Sequence, residues 1–164
     1  MSAPPGTSPV GAALIARGAC RALEEWGYAC LREFPLADAR RADILALGRK
    51  GELVVVEVKS SVADFRADNK WAHYRDFSDR LYFAVANGFP KTLIPEDCGL
   101  MVADAFGAAL LRDGAATPLS AARRRALILR FARVAARRLQ RCLDAAAATN
   151  MVGTSDPPQA AVLL

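Results

Sequence analysis

The chain has 164 residues, 53% hydrophobic and 24% charged, with a net charge of +5 at pH 7. That length and composition fit one globular domain with a substantial core. No apolar run reaches the roughly eighteen residues a membrane-spanning helix needs, and residues 1–9 lack the basic-then-apolar pattern of a secretory signal. A cytoplasmic protein with no membrane partner is expected. Cys20, Cys30, Cys98 and Cys142 show no paired spacing and do not cluster with the single histidine, His73, so no zinc site is expected and reduced, buried thiols are the default. Eighteen of the 22 basic residues are arginine, the side chain suited to bidentate phosphate contact. The alanine-rich composition would carry the same bias from a GC-rich genome, so arginine content alone does not decide for nucleic acid.

Ser8-Pro9 reads as a helix start, with Ser8 as cap and Pro9 at the first position, and Gly27 ends that helix after Trp26. Ile15, Ala19, Ala22, Leu23 and Trp26 share one face, which should cover a sheet. Glu24 and Glu25 fall near its end, where a solvated pair is the default. Tyr28–Phe34 is a strand that stops at Pro35. A second strand opens at Asp43 and continues through Ile44–Leu47, and a third runs from Glu52 to Lys59. The three form an antiparallel meander in which Glu33 can approach Asp43.

Leu53, Val54, Val55, Val56 and Val58 make the third strand apolar on both faces, so the charges of Glu57 and Lys59 are costly there without a partner or an ion. Glu57 and Lys59 are two apart and share a face. The turn decides whether Asp43 joins them. A three-residue loop, Arg49-Lys50-Gly51 with Gly51 left-handed, pairs Gly48 with Glu52 and sets Asp43 opposite Glu57. A four-residue loop would set Asp43 opposite Val56, on the wrong face. The first register is expected. It leaves two readings open: an oxygen-ligand site for Mg²⁺ with a lysine beside it, or a structural salt bridge in which Lys59 neutralises both acids.

A helix is expected over about Val62–Phe77, capped by Ser60 or Ser61. Lys70 and Tyr74, four apart, share a face of it and could meet DNA, although Trp71, Tyr74 and Phe77 also have the spacing of a core face. Leu81–Ala86 is a strand reached by a helical crossover, hence parallel to the third. A helical turn at Lys91–Leu93 and two short edge strands, Leu100–Ala103 and Ala108–Leu111, follow. From Pro118 or Ser120 to about Ala147 the pattern is helical. Arg123, Arg130, Arg133, Arg137 and Arg141 fall on one side, for solvent or phosphate, and Ile128, Ala132, Ala135, Leu139 and Leu143 on the other, for the domain. Thr149 to Leu164 has no periodicity and reads as a disordered tail.

Asp43…Glu57-Val58-Lys59 resembles the D…(D/E)-x-K signature of restriction-endonuclease-like nucleases. A longer string resembles the MmcB family of DNA-repair proteins: Arg41–Leu47, Val55–Ser61, Asp64–Asp68, Lys70-Trp71, Tyr82–Val85, Gly99–Asp104 and the arginine-rich last helix. The resemblance covers roughly residues 10 to 143. It implies an α/β, restriction-endonuclease-like fold: a mixed central sheet flanked by helices on both faces, with a long C-terminal helix. The expected organisation is a flexible 1–9, a nuclease-like domain over 10–148 and a tail over 149–164. The resemblance further implies DNA and other repair proteins as partners, and Mg²⁺ or Mn²⁺ as cofactor. Asp43, Glu57 and the Val58 carbonyl would hold the metal, with Lys59 stabilising the phosphate in hydrolysis of DNA. Because such nucleases often add an acid from the first helix, Glu24 or Glu25 could contribute. Lys70 and Tyr74 resemble a Q-x-x-x-Y element with lysine in place of glutamine. A nuclease-like module that binds DNA or a repair partner without cutting is the alternative.

Overall fold

The computed structural model describes residues 11–68 and 70–152. Six strands form one sheet in sequence order: β1 (Ala29–Pro35), β2 (Arg41–Leu47), β3 (Leu53–Lys59), β4 (Arg80–Val85), β5 (Gly99–Ala103) and β6 (Ala108–Arg112). β1, β2 and β3 are the expected antiparallel meander. β4 runs parallel to β3, β5 is parallel to β4, and β6 returns antiparallel, so the sheet has a second parallel pair beyond the expected one. All seven residues of β3 are buried, as its unbroken apolar run requires.

The hairpin between β2 and β3 takes the three-residue register. Leu47 pairs with Leu53 and Ile44 with Val56, the Gly48 N–H donates to Glu52 O over 2.8 Å, and Gly51 has φ +83°. A side chain at Gly51 would be held in the left-handed region, which glycine occupies without penalty. Counted outward, the register sets Asp43 against Glu57.

The helix α1 (Ala12–Glu25) covers one face of the sheet. Ile15, Ala16, Ala19, Cys20 and Leu23 pack on Ile44, Ala46, Val54, Val56 and Val58. Because alternate residues face opposite ways, Asp43, Glu57 and Lys59 belong to the other face. Gly11 is the N-cap, so α1 begins three residues later than expected; Ser8 and Pro9 lie outside the described residues. Trp26, expected in the core face, is 43% exposed because the helix has already ended and its backbone has turned toward β1. Gly18 lets α1 approach the β5–β6 turn: a Cβ there would sit 2.0 Å from Asp104 O.

On the opposite face the expected single helix over 62–77 is broken. α2 (Val62–Ala67) is followed by the 3₁₀ helix Trp71–Phe77, and Phe65 and Trp71 each meet the Phe83 ring edge-on at 5.6 Å. Asp68 leaves helical geometry, with ψ 99°, while its carboxylate accepts the Lys70 N–H and binds Lys59. Those contacts outweigh one more helical turn.

The last helix, α3 (Ala121–Val152), includes residues 149–152, assigned to the tail above; 153–164 and 1–10 lie outside the described residues. Two compact units meet inside it, Met1–Leu129 and Arg130–Leu164. In the first, Ser120 Oγ accepts the Arg123 N–H, as a cap should. Asp79 ties three segments together. It accepts N–H groups from Leu53 (2.8 Å) and Leu119 (2.9 Å), and a bidentate Arg124 pair at 2.6 Å each. This pair sets the rotation of α3, turning Leu127 inward while Leu129 stays exposed. In the second unit Leu139 and Leu143, placed on the apolar face by their spacing, are 61% and 56% exposed.

Burial alone would raise the Asp79 carboxyl, but Arg124 and the two backbone N–H groups outweigh it and hold the carboxyl below its ordinary value. Its stabilisation is therefore present above about pH 4 and is lost as pH falls through the folded-state value. Asp79→Ala takes the acceptor from the Leu53 and Leu119 N–H groups and the carboxylate from the Arg124 guanidinium, which keeps only Gly51 O, and should cost roughly 3–5 kcal/mol in urea unfolding at pH 7. The gap between variant and parent should narrow in acid.

Candidate functional site

The ladder between β2 and β3 ends at Ile44–Val56. Beyond it, the Val58 N–H donates to Asp43 Oδ2 at 2.8 Å instead of to a backbone carbonyl. A side chain substituted into the ladder parts the strands and opens a cleft of about 480 Å³. Its wall on the helix side is Ala12, Ala13 and Ala16 of α1, whose small side chains leave the space. The amino end of α1 carries no acidic residue in its first turn and no side-chain cap, so its partial positive charge bears on the cleft.

Glu57 and Lys59 are 3% and 4% exposed. Lys59 Nζ lies 3.7 Å from Glu57 Oε2 and 2.6 Å from Asp68 Oδ2. Burial alone would lower the Lys59 ammonium, but the Asp68 and Glu57 carboxylates hold it above its ordinary value. Glu57 Oε1 is buried with no hydrogen-bond partner. Burial first, then the Asp43 charge, pushes Glu57 up to about 8, against the smaller effect of Lys59. Burial raises Asp43 too, opposed by the Val58 N–H.

Other expected residues divide. Glu33 lines the cleft, in register opposite Asp43 between the Arg32–Ile44 and Phe34–Ala42 pairs. It has φ 51° and pairs with Arg41 at 2.5 Å. Left-handed backbone at a non-glycine residue stores strain of order 1 kcal/mol. Tyr74 also lines the cleft, nearly buried, its O–H donating to Arg41 O at 3.0 Å. Lys70 does not join it: the helix break leaves Lys70 exposed as the cap of the 3₁₀ helix. Glu24 and Glu25 do not join it either. They sit at the far end of α1, Glu24 about 18 Å along the axis from Ala12, and both are exposed. His73 is exposed as well.

Asp64 and Asp68 line the cleft and were not expected there. Ser61 Oγ caps α2 through the Asp64 N–H (3.1 Å), and Asp64 Oδ2 returns to the Ser60 N–H (3.2 Å). The Ser-x-x-Asp spacing of Ser61 and Asp64 is a sequence signal that points to a cap, although the carboxylate returns to Ser60 and not to Ser61. Nothing in the sequence marks the break that brings Asp68 to Lys59.

The cleft thus holds five carboxyl groups, from Glu33, Asp43, Glu57, Asp64 and Asp68, against Arg32 and Lys59. Among the described residues no three His, Cys, Asp or Glu side chains are arranged to hold a metal. Two carboxylates, one with an oxygen lacking any partner, fit a hard cation that keeps several waters. Of the arginines placed on the solvent side of the last helix, Arg123 pairs with Asp76 at 3.3 Å, Arg130 is half-buried, and Arg133, Arg137 and Arg141 are exposed.

Glu57 makes stability fall with pH in the metal-free chain. Folded, it keeps its proton to about pH 8; unfolded, it ionises near pH 4.5, so the folded state loses ground between those values and levels off above. In chelator, Glu57→Gln should match the parent near pH 4 and exceed it at pH 8 by on the order of 3 kcal/mol, read from urea midpoints at each pH.

No protein of curated function matches the chain. Among solved structures, SPO1766, a protein of unknown function from Silicibacter pomeroyi, is similar with a TM-score of 0.79 and 43% identity, over 84% of this chain and 93% of that one. No helix among the described residues is long and apolar enough to cross a membrane. The family described as DNA repair protein MmcB-like matches residues 2–146. With the sheet, the parted strands and the Asp43–Glu57–Lys59 cluster on that matched stretch, the chain belongs to the MmcB-like family of DNA repair proteins.

Proposed function

We propose that this chain hydrolyses DNA phosphodiester bonds in repair with Mg²⁺ or Mn²⁺ held by Asp43, Glu57 and the Val58 carbonyl. The observation that carries the reading is the buried, partnerless Glu57 Oε1 beside Asp43. A carboxylate oxygen removed from water without a hydrogen bond costs several kcal/mol, and a divalent cation is the partner that would recover it. When bound, the ion supplies an activated water at neutral pH and neutralises charge on the phosphate. Asp43 and Glu57 fix its position, and the Asp43 bond to Val58 orients that carboxylate. Lys59 stays charged and offers its ammonium to the phosphate. The cleft's ionised carboxylates outnumber Arg32 and Lys59 and repel a bare phosphodiester, so substrate entry itself would depend on the cation. Arg133, Arg137 and Arg141, spaced along one side of α3, would add sequence-independent affinity for the backbone.

A second reading, DNA or partner binding without cleavage, has one observation in its favour. Lys59 Nζ is hydrogen-bonded to Asp68 at 2.6 Å, which ties up the group that should meet the phosphate.

Single-stranded, nicked and flapped DNA incubated with the chain and Mg²⁺ or Mn²⁺ separates the two. Cleavage that falls about 100-fold or more in Lys59→Ala and in Asp43→Asn, with DNA affinity retained, is the expected result. Tight, salt-sensitive binding with intact DNA in both metals would replace the nuclease with the binding module.

A further inference from the structure

The two edges of the sheet are built differently. β1 carries Arg32, Glu33 and Pro35 and is broken by the left-handed Glu33, which are devices that prevent further strand pairing. β6 has no such charge, proline or left-handed residue; its one irregularity is a register shift that leaves Leu111 unpaired between Leu110 and Arg112. From Ala108 to Leu111 it is uncharged, Ala109, Leu110 and Leu111 are exposed, and no strand lies beyond it among the described residues. Arg112 does not guard it, because its guanidinium is turned onto the carbonyls of Cys98, Ile94 and Pro95 at 2.8–3.3 Å.

Leu110 also forms one side of a pocket of about 280 Å³ on the α1 face. Leu23, Val54 and Met101 supply its apolar floor, and Trp26 and Leu110, each 43% exposed, its open rim. The polar wall is a relay. Tyr28 O–H donates to Glu52 at 3.0 Å, Arg80 bridges Glu52 at 3.3 Å and Asp113 at 3.0 Å, and Tyr82 O–H donates to Asp113. Two carboxylates face one guanidinium, leaving one negative charge in a chain of net +5. The Glu52 and Asp113 side chains keep 39% and 61% exposure, so both still meet solvent.

We infer that β6 and this pocket receive an extended segment of a partner protein. Its backbone continues the sheet, and one of its lysine or arginine side chains lies in the pocket. The open edge supplies main-chain hydrogen bonds, and the pocket supplies selectivity for one residue in two. A long basic side chain fits both halves of the site, its stem against Leu110 and the Trp26 face and its charge toward Glu52 and Asp113. Nucleic acid is disfavoured, because the pocket's excess charge has the sign of phosphate. A second copy pairing β6 with β6 is disfavoured too, since the strand's sole basic side chain, Arg112, is already committed to three carbonyls.

The test is an array of short capped peptides, each randomised at all positions but one, probed with the full chain. Lysine or arginine at the fixed position should be retained about fivefold or more over glutamate, and N-methylation of alternate backbone nitrogens should remove the signal. Glu52→Gln and Trp26→Ala should lose the preference, and Leu110→Lys should lose binding, each with the parent's circular dichroism. Asp43→Asn should leave the array pattern unchanged, separating this surface from the carboxylate cleft. Absence of any basic preference, its survival in Trp26→Ala, competition by an oligonucleotide, or sedimentation as a dimer that Leu110→Lys dissolves would each overturn the inference.

Discussion

Strand β3 buries all seven of its residues, two of them charged, and the geometry at its end is set by how that burial is tolerated. The turn fixes the pairing, because Gly51 takes the left-handed conformation that a three-residue loop needs. The pairing then sets Asp43 against Glu57 just where the ladder stops. A slip of one residue would send Asp43 to the α1 face, among Ile15, Ala16 and Ala19, and leave the Val58 N–H without an acceptor. Register, parted strands and clustered carboxyl groups therefore stand or fall as one feature.

The meander was legible because its signals are local: β-branched runs, Gly51 at the turn, and a two-residue period that puts Glu57 and Lys59 on one face. The parallel placement of β4 followed from a crossover too long for a hairpin. The failures have a common origin in tertiary contacts overriding local pattern. Residues 62–77 contain no glycine or proline to announce a break, yet Asp68 leaves the helix for Lys59 and the Lys70 N–H. Helical spacing alone could not reveal that the amino end of α1, not the carboxyl end with Glu24, borders the cleft. Nor could the arginine periodicity of α3 reveal its rotation, which depends on Asp79 selecting Arg124 among three consecutive arginines.

Charge is segregated in a way that net charge hides. The cleft collects five carboxyl groups, while exposed arginines line α3 in the second unit. On the proposed reading, a cation that lowers the repulsion among the cleft's carboxylates would also ease the entry of a phosphodiester.

Lys59 and Glu57 divide the titration of the site between them. Asp68, at 2.6 Å, and Glu57, at 3.7 Å, keep the ammonium charged beyond its ordinary range, so Lys59 does not lose its proton near neutrality. Glu57, pushed up to about 8 by burial and by Asp43, holds its proton at neutral pH in the metal-free chain. A divalent cation competes with that proton for the same carboxylate, and the proton's hold weakens as pH rises. On the proposed reading, metal affinity should increase toward pH 8, the direction in which the metal-free fold weakens. The carboxylate that destabilises the empty protein is the one whose desolvation makes a cation its best partner. Asp68 acts in the same balance from the other side: it neutralises Lys59 at 2.6 Å, and on the proposed reading a phosphate would compete with it for that ammonium.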